Sequence, residues 1–248
     1  NDGTVWTKYA SNPLFGASQA WELSVEVTPN TVLYDPDEGV WKMWYHAESS
    51  SSGGARKIGY ATSSDGLAWT KYASNPVLSL GGTGAFDESQ VHDARVMRFS
   101  STDYRMWYMG IRASDGANQV GYATSSDGLS WTKSGSNPVF ALGTAGAWDD
   151  ARILGFAPLY IDGFFHAWYI GGDAISGYTD SIGHAWSVDG VAWTRNTGNP
   201  LLLDKTGEDI TDTIGVYVDG SRARIHYAHY DLGASPVLRG RGEAWADM

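Results

Sequence analysis

The chain has 248 residues, 42% of them apolar and 18% charged, a formal net charge of −11 and no cysteine. This is a globular composition rather than a disordered one, and no apolar run approaches the ~18 residues of a membrane-spanning helix. The acidic balance opposes a nucleic-acid partner, and the missing thiol removes disulfides, thiolate metal sites and cysteine nucleophiles.

Twelve Trp, 14 Tyr and 31 Gly residues favour strands and tight turns, and no segment carries a capped 3.6-residue apolar period. The elements recur along the chain. Trp6-Thr7-Lys8, leading to Ser11-Asn12-Pro13-Leu14, predicts a first strand over about 6–15. Trp21-Glu22 then precedes a less regular strand at Thr31 to Tyr34, a second at Met43-Trp44-Tyr45 and a third at Ile58 to Ser63. Ser64-Asp65-Gly66 predicts a hairpin, because Asp and Gly both tolerate positive φ. Trp69-Thr70-Lys71 with Ser74-Asn75-Pro76-Val77 repeats the opening motif, and Gly81-Gly82-Thr83-Gly84 reads as a loop between units.

The second copy runs through Phe86-Asp87, Arg95 to Phe99, Met106-Trp107-Tyr108, Val120 to Ser125, Asp127-Gly128 and Trp131-Thr132-Lys133. A third runs through Trp148-Asp149, Pro158 to Ile161, Ala167-Trp168-Tyr169, Ile182 to Ser187, Asp189-Gly190 and Trp193-Thr194-Arg195. The fourth has Glu208-Asp209, Gly215 to Val218 and Ile225-His226-Tyr227, and ends near Glu243-Ala244-Trp245. The tryptophans of the opening motif are 63, 62 and 62 residues apart.

Each unit reads as four antiparallel strands. One such sheet cannot bury both faces, so the units must stack, and radial stacking gives an all-β propeller. Four blades are expected, at about 16–78, 79–140, 141–203 and 204–248 plus 1–15, as a single domain over 1–248. The N-terminal strand then completes the last blade and closes the ring, removing an open edge. The alternative is a five-bladed propeller, truncated.

Repetition separates scaffold from site. Asp65, Asp127 and Asp189 recur as hairpin residues, and Trp69, Trp131 and Trp193 recur as packing between blades. The acids Glu22, Asp87, Asp149 and Glu208-Asp209 recur as well and suit capping. The polar residues just after them differ between copies: Glu26 in the first, Gln90, His92, Asp93 and Arg95 in the second, Asp150 and Arg152 in the third, Asp212 in the fourth. Unlike polar residues gathered at the hub favour one asymmetric central site. Trp21 is added as a ring for stacking. No His, Asp or Glu cluster has zinc or calcium spacing, and no glycine loop opens a helix as a phosphate cradle does, so neither metal nor cofactor is expected.

The order Trp-Asp, Met-Trp-Tyr, Gly-Tyr-Ala-Thr-Ser, Asp-Gly, Trp-Thr-Lys, Asn-Pro-Val resembles the blades of the furanosidase-type glycoside hydrolases. These include arabinanase/xylosidase, invertase/levansucrase and mannoside-phosphorylase relatives. The Ser-x-Asp-Gly-x-x-Trp turn is similar to the sialidase Asp-box. The resemblance implies five blades as the usual number, and carboxylates at the axial ends of the inner strands that act as base or nucleophile, acid and sugar-orienting group. His92-Asp93-Ala94 resembles the family's Arg/His-Asp-Pro, whose Asp contacts sugar hydroxyls. Glu26, ahead of Pro29, resembles the Glu-Gly-Pro general acid with an extra residue, and Asp212 is left as a second carboxylate.

Two functions are therefore carried forward. One is a glycosidase acting on a furanoside-containing or related glycan through Asp93, Glu26 and Asp212, with His92, Arg95, Gln90, Asp150, Arg152 and Trp21 binding substrate. The other is a non-catalytic propeller that binds carbohydrate or protein. A monomer is expected. So is an extracellular or periplasmic location, since the chain starts at Asn1 like a mature or trimmed form.

Overall fold

The computed structural model describes residues 7–22, 26–49, 54–173, 180–202, 208–219, 222–231 and 238–247; in the last three stretches, side chains are described only at 210, 215–218 and 223–227. Among them there is no helix. Fifteen strands form four antiparallel sheets. The first holds β1 (Val27–Asp35), β2 (Val40–Glu48), β3 (Arg56–Ser63) and β4 (Thr70–Lys71) in that order. The second holds β5 (Gln90–Ser100), β6 (Asp103–Ile111), β7 (Asn118–Ser125) and β8 (Thr132–Lys133). The third holds β9 (Arg152–Ile161), β10 (Phe164–Gly172), β11 (Asp180–Ser187) and β12 (Trp193–Arg195). The fourth has three strands, β13 (Glu208–Asp219), β14 (Arg222–Asp231) and β15 (Leu238–Asp247).

The first strand of each later sheet packs on the inner three strands of the sheet before it: β5 on β1–β3, β9 on β5–β7, and β13 on β9–β11. This is the stacking of propeller blades, with β1, β5, β9 and β13 innermost. The described residues do not show closure of the ring by the N-terminal strand. Residues 7–15 form no strand, no described residue of that segment pairs with β15, and Trp6 lies outside the described residues. The segment touches blade one, where Phe15 meets the Tyr45 ring edge-on at 4.8 Å and Lys71 Nζ donates to Gly16 O at 2.6 Å; Phe140 with Tyr169 at 4.7 Å and Lys133 Nζ with Ser79 O at 2.7 Å repeat these contacts where later blades follow one another.

Each hairpin is built the same way. The Asp65 carboxylate accepts from Leu67 N and Ala68 N at 2.8 Å and from Ser63 Oγ at 2.9 Å. Asp127 and Asp189 repeat this pattern. The glycine that comes next has positive φ (76° at Gly128), which L residues rarely adopt. Its carbonyl links the blades: Trp44 Nε1 donates to Gly128 O at 2.9 Å and Trp107 Nε1 to Gly190 O at 2.8 Å. Trp168 is third in that series; its Nε1 is buried and has no acceptor among the described residues.

The opening acids, the Tyr of the second strand, the Lys or Arg of the fourth and the Asn before Pro form a clamp in each of the first three blades. Tyr108 Oη donates to Asp87 at 2.9 Å, Lys133 Nζ reaches the same carboxylate at 2.5 Å, and Asn137 Nδ2 donates to Tyr108 Oη at 3.2 Å. Glu22, Lys71, Tyr45 and Asn75 match them in blade one, and Asp149, Arg195, Tyr169 and Asn199 in blade three. The three acids are buried, and buried carboxylates need such partners. A Cβ at Gly121 would lie 2.4 Å from Tyr108 Cζ, so the Gly-Tyr-Ala strand keeps glycine where the clamp ring crosses it.

Candidate functional site

The inner strands begin earlier in the chain than their sequence pattern suggested. As a result Glu26, Gln90, His92, Asp93 and Arg152 all fall at the starting ends of β1, β5 and β9. Every inner strand also breaks register near this end: between Pro29 and Thr31, between His92 and Arg95, opposite Ile170/Gly171, and between Ile210 and Ile214. Such bulges re-aim side chains and are frequent beside active sites. Asp93 sits in the second of them with φ of 48°, a left-handed conformation uncommon for a residue with a side chain.

The bulges of blades one and two bring five side chains together. His46, buried on β2, stands between two carboxylates. Its Nε2 is 3.3 Å from Glu26 Oε1, and its Nδ1 is 3.5 Å from Asp93 Oδ1 and 3.2 Å from Asn30 Oδ1. Asn30 Nδ2 donates to Asp93 Oδ1 at 3.2 Å, and Asp93 Oδ2 lies 3.3 Å from His92 Nδ1. The two imidazoles meet edge-to-face at 5.8 Å. His92 Nε2 is buried and has no hydrogen-bond partner among the described residues. The two carboxylates remain reachable, with side-chain exposures of 34% for Glu26 and 26% for Asp93.

Both carboxylates are held ionised. Burial works to raise the pKa of Glu26, but the charge of Arg56, 2.7 Å away, and the His46 hydrogen bond outweigh it and leave it below the ordinary value. Burial likewise opposes ionisation of Asp93. The His92 hydrogen bond and the charges of His92, His46 and Arg95 prevail there too and lower it. Burial is also the main influence on His46; it lowers that pKa despite the attraction of Asp93 and favours the neutral ring.

A second level lies one step further along the strands. Glu26, Gln90 and Arg152 stand across from Glu48, Ile111 and Gly172, which pair in turn with Arg56, Asn118 and Asp180. Blade one thus pairs an inner acid with an outer Arg. Blade three inverts the pair, with Arg152 Nε donating to Asp180 Oδ1 at 2.8 Å. Gln90 joins the first group, since its Oε1 accepts from Arg56 Nη1 at 3.4 Å.

The remaining candidates are placed differently. Asp150 accepts from Gly146 N at 2.6 Å in the turn before β9, as Glu88 does from Gly84 N at 2.5 Å. Its Oδ1 is buried without a partner among the described residues. Trp21 stacks on Tyr45 at 6.0 Å and donates to Gln19 Oε1 at 2.9 Å; no described hydrogen bond or ring contact joins it to the Glu26–Asp93 group. Trp148 stacks on Tyr169 in the same way in blade three, at 5.4 Å. Asp212 lies in the register shift of β13, and its side chain is outside the described residues.

Sequence reasoning missed His46, Asn30 and Arg56. A signal existed for two of them. His46 stands where the other blades have Met109 and Ile170, and Arg56 where they have Asn118 and Asp180. Both lie on the second and third strands of the blade, whereas the differences between copies stand out first on the inner strand. Among the described residues no group of three or more His, Asp or Glu side chains is arranged to hold a metal ion.

No protein-family model and no curated protein sequence matches the chain. Solved structures do. A BT0996 complex with RGII superposes with a TM-score of 0.71 at 15% identity, covering 94% of this chain and 75% of that one. The fold is one shared with glycoside hydrolases. A structure from the GH130 family of mannoside phosphorylases, which contains glycoside hydrolases that target β-1,2 mannosidic linkages in Candida mannan, gives 0.65 at 20% identity, over 97% of this chain and 75% of that one. A thermostable family-43 glycoside hydrolase gives 0.64 at 21% identity, over 88% and 70%. At these identities the likeness carries the propeller fold alone.

Proposed function

We propose that the chain is a glycoside hydrolase-type propeller that cleaves a glycosidic bond in a furanoside-containing or related glycan at the hub end of its inner strands. The observation that carries this reading is the grouping of Glu26, His46, His92 and Asp93. Two blades contribute ionised, partly exposed carboxylates at one axial end of a fold shared with glycoside hydrolases. Ionised carboxylates are what such a reaction needs to activate water and to stabilise the positive charge that develops on the sugar ring. Gln90, Arg95, Arg152 and Asp150 would contact sugar hydroxyls, and Asp212 would add a carboxylate from blade four. A glycan outside the cytoplasm, in the extracellular space or periplasm, is the expected substrate.

Hydrolysis of aryl arabinofuranosides, xylosides, fructosides and mannosides by the wild type tests this directly. Asp93→Asn should abolish turnover and leave the melting temperature unchanged. Equal turnover by that variant would sink the assignment.

One observation favours a second reading, a non-catalytic glycan-binding propeller. Glu26 and Asp93 do not face each other across open space, because the His46 ring stands between them. Retention of an oligosaccharide with no hydrolysis of any glycoside would select it.

The ring is proposed to be one domain over 1–248, monomeric, with residues 1–15 completing the fourth blade. Support comes from Asn12 N donating to Tyr9 O at 3.2 Å, the turn that Asn75 N makes with Tyr72 O at 3.3 Å after the fourth strand of blade one. Deleting residues 1–15 should lower the melting temperature and expose the edge of β15 to self-association. A deletion that melts like the full chain would remove this role.

A further inference from the structure

The hub group lacks an evident proton donor. Glu26 is engaged by Arg56 and His46, Asp93 by His92, Asn30 and His46, and both carboxyls are held in the ionised form. Both nitrogens of His46 already face oxygen atoms. Yet cleaving a glycosidic bond to an ordinary alcohol requires a proton on the departing oxygen.

His92 has what the others lack. Its ring is buried, Nδ1 is held by the Asp93 carboxylate at 3.3 Å, and Nε2 is left without a partner among the described residues. A buried polar atom without a hydrogen bond is destabilising, and native proteins seldom leave one without a reason. The backbone also serves this contact. The two-residue bulge and the positive φ of Asp93 turn its carboxylate toward the ring of the preceding residue, where a regular strand would point the two side chains to opposite faces. A carboxylate that fixes one imidazole nitrogen and leaves the other for substrate is the arrangement by which hydrolases orient a proton-transferring histidine.

We propose that His92 Nε2 is the proton-transferring atom of this site and that Asp93 is its positioning residue. The proposal rests on the glycosidase reading. In the step, the bond between the anomeric carbon and the leaving oxygen breaks and its electron pair goes to that oxygen. The oxygen takes the proton from Nε2 of protonated His92. Water adds to the anomeric carbon and gives its proton to the Glu26 carboxylate. Return of that proton to His92 through solvent restores both groups, so the net change is addition of one water.

Two measurements test it. The first compares wild type and His92→Gln on paired substrates with the same sugar, one with an alkyl leaving group and one with dinitrophenolate, which departs without protonation. The variant should lose about 10²–10⁴-fold on the alkyl glycoside and no more than about tenfold on the activated one. An equal loss on both, with the fold intact, would overturn the proposal while the glycosidase reading stands. Absence of hydrolysis of every glycoside by the wild type would remove the reading and the proposal together. The second needs no activity. In ¹⁵N imidazole spectra, neutral His92 should carry its proton on Nδ1, and Asp93→Asn should shift that signature. A neutral ring protonated on Nε2, or one indifferent to Asp93→Asn, would make His92 a buried structural residue.

Discussion

The clamp across each blade and the starting end of its inner strand obey opposite rules. In the clamp, Glu22, Asp87 and Asp149 meet the same Tyr, Asn and Lys or Arg partners in three successive blades. At the inner-strand end, Glu26, Gln90 and Arg152 hold one level yet are acidic, neutral and basic, and their cross-strand neighbours Arg56, Asn118 and Asp180 change in step. A blade must solve the same packing problem each time, so the residues that solve it repeat. Nothing in the blade requires a particular charge at the hub end, which leaves those positions open to chemistry.

Substitutions can break this contrast. The largest effect is expected from Asp93→Asn, a fall in glycoside turnover of about 10³–10⁴-fold, as for a carboxylate that orients a catalytic imidazole. Its melting temperature should match the wild type; a large drop would place Asp93 with the clamps. Asp87→Asn should do the reverse. It strips the charge partner from Lys133, which is 27% exposed, so the cost is about 2–4 kcal/mol, somewhat below that of a fully buried pair. For a chain of this size the melting temperature should fall on the order of 10 °C, with turnover per folded molecule unchanged.

Acid titration probes another buried network. Burial works to raise the pKa of Asp35, but the hydrogen bonds from Lys42, Tyr104 and the Asp37 backbone outweigh it and hold the carboxyl well below the ordinary range. A carboxyl depressed in the folded state stabilises fully above its unfolded value, near ~3.9, and that contribution is lost as pH falls further. Thermal melts from neutral pH downward should therefore steepen below about pH 4, and Asp35→Asn should flatten that part of the curve. A variant with the wild-type slope would assign the acid loss to other carboxylates. The smallest effect is expected from exchanging charges at the hub level. Because Glu26 and Arg56 are 34% and 30% exposed, Arg56→Gln should cost no more than about 1 kcal/mol in urea unfolding. Loss of several kcal/mol would show that this level, too, is scaffold.

Much of the blade is legible in the sequence because its determinants are local. Ser-x-Asp-Gly-x-x-Trp closes a hairpin within a few residues, with Asp127 accepting from Ser125, Leu129 and Ser130, so it can be read from one stretch of chain. The acids ahead of each inner strand can be seen to repeat, but their partners cannot be read beside them, since Lys133 lies 46 residues from Asp87. The site is half legible. Asp93 and His92 are neighbours in the chain and break the pattern of the copies. His46, 47 residues earlier and on a second strand, enters only through packing.

The sequence by itself determined four sheets of short antiparallel strands, because alternation, turn residues and a 62-residue spacing are properties of the chain read in order. Only the tertiary structure decided that Glu26 and Asp93 flank one imidazole, that Asp93 turns back on His92, and that Trp44 and Trp107 are held by the hairpin of the next blade. Those contacts depend on a bulge and on the stacking of one blade against another. Both are fixed by the packing of two sheets together, and no short stretch of sequence encodes them.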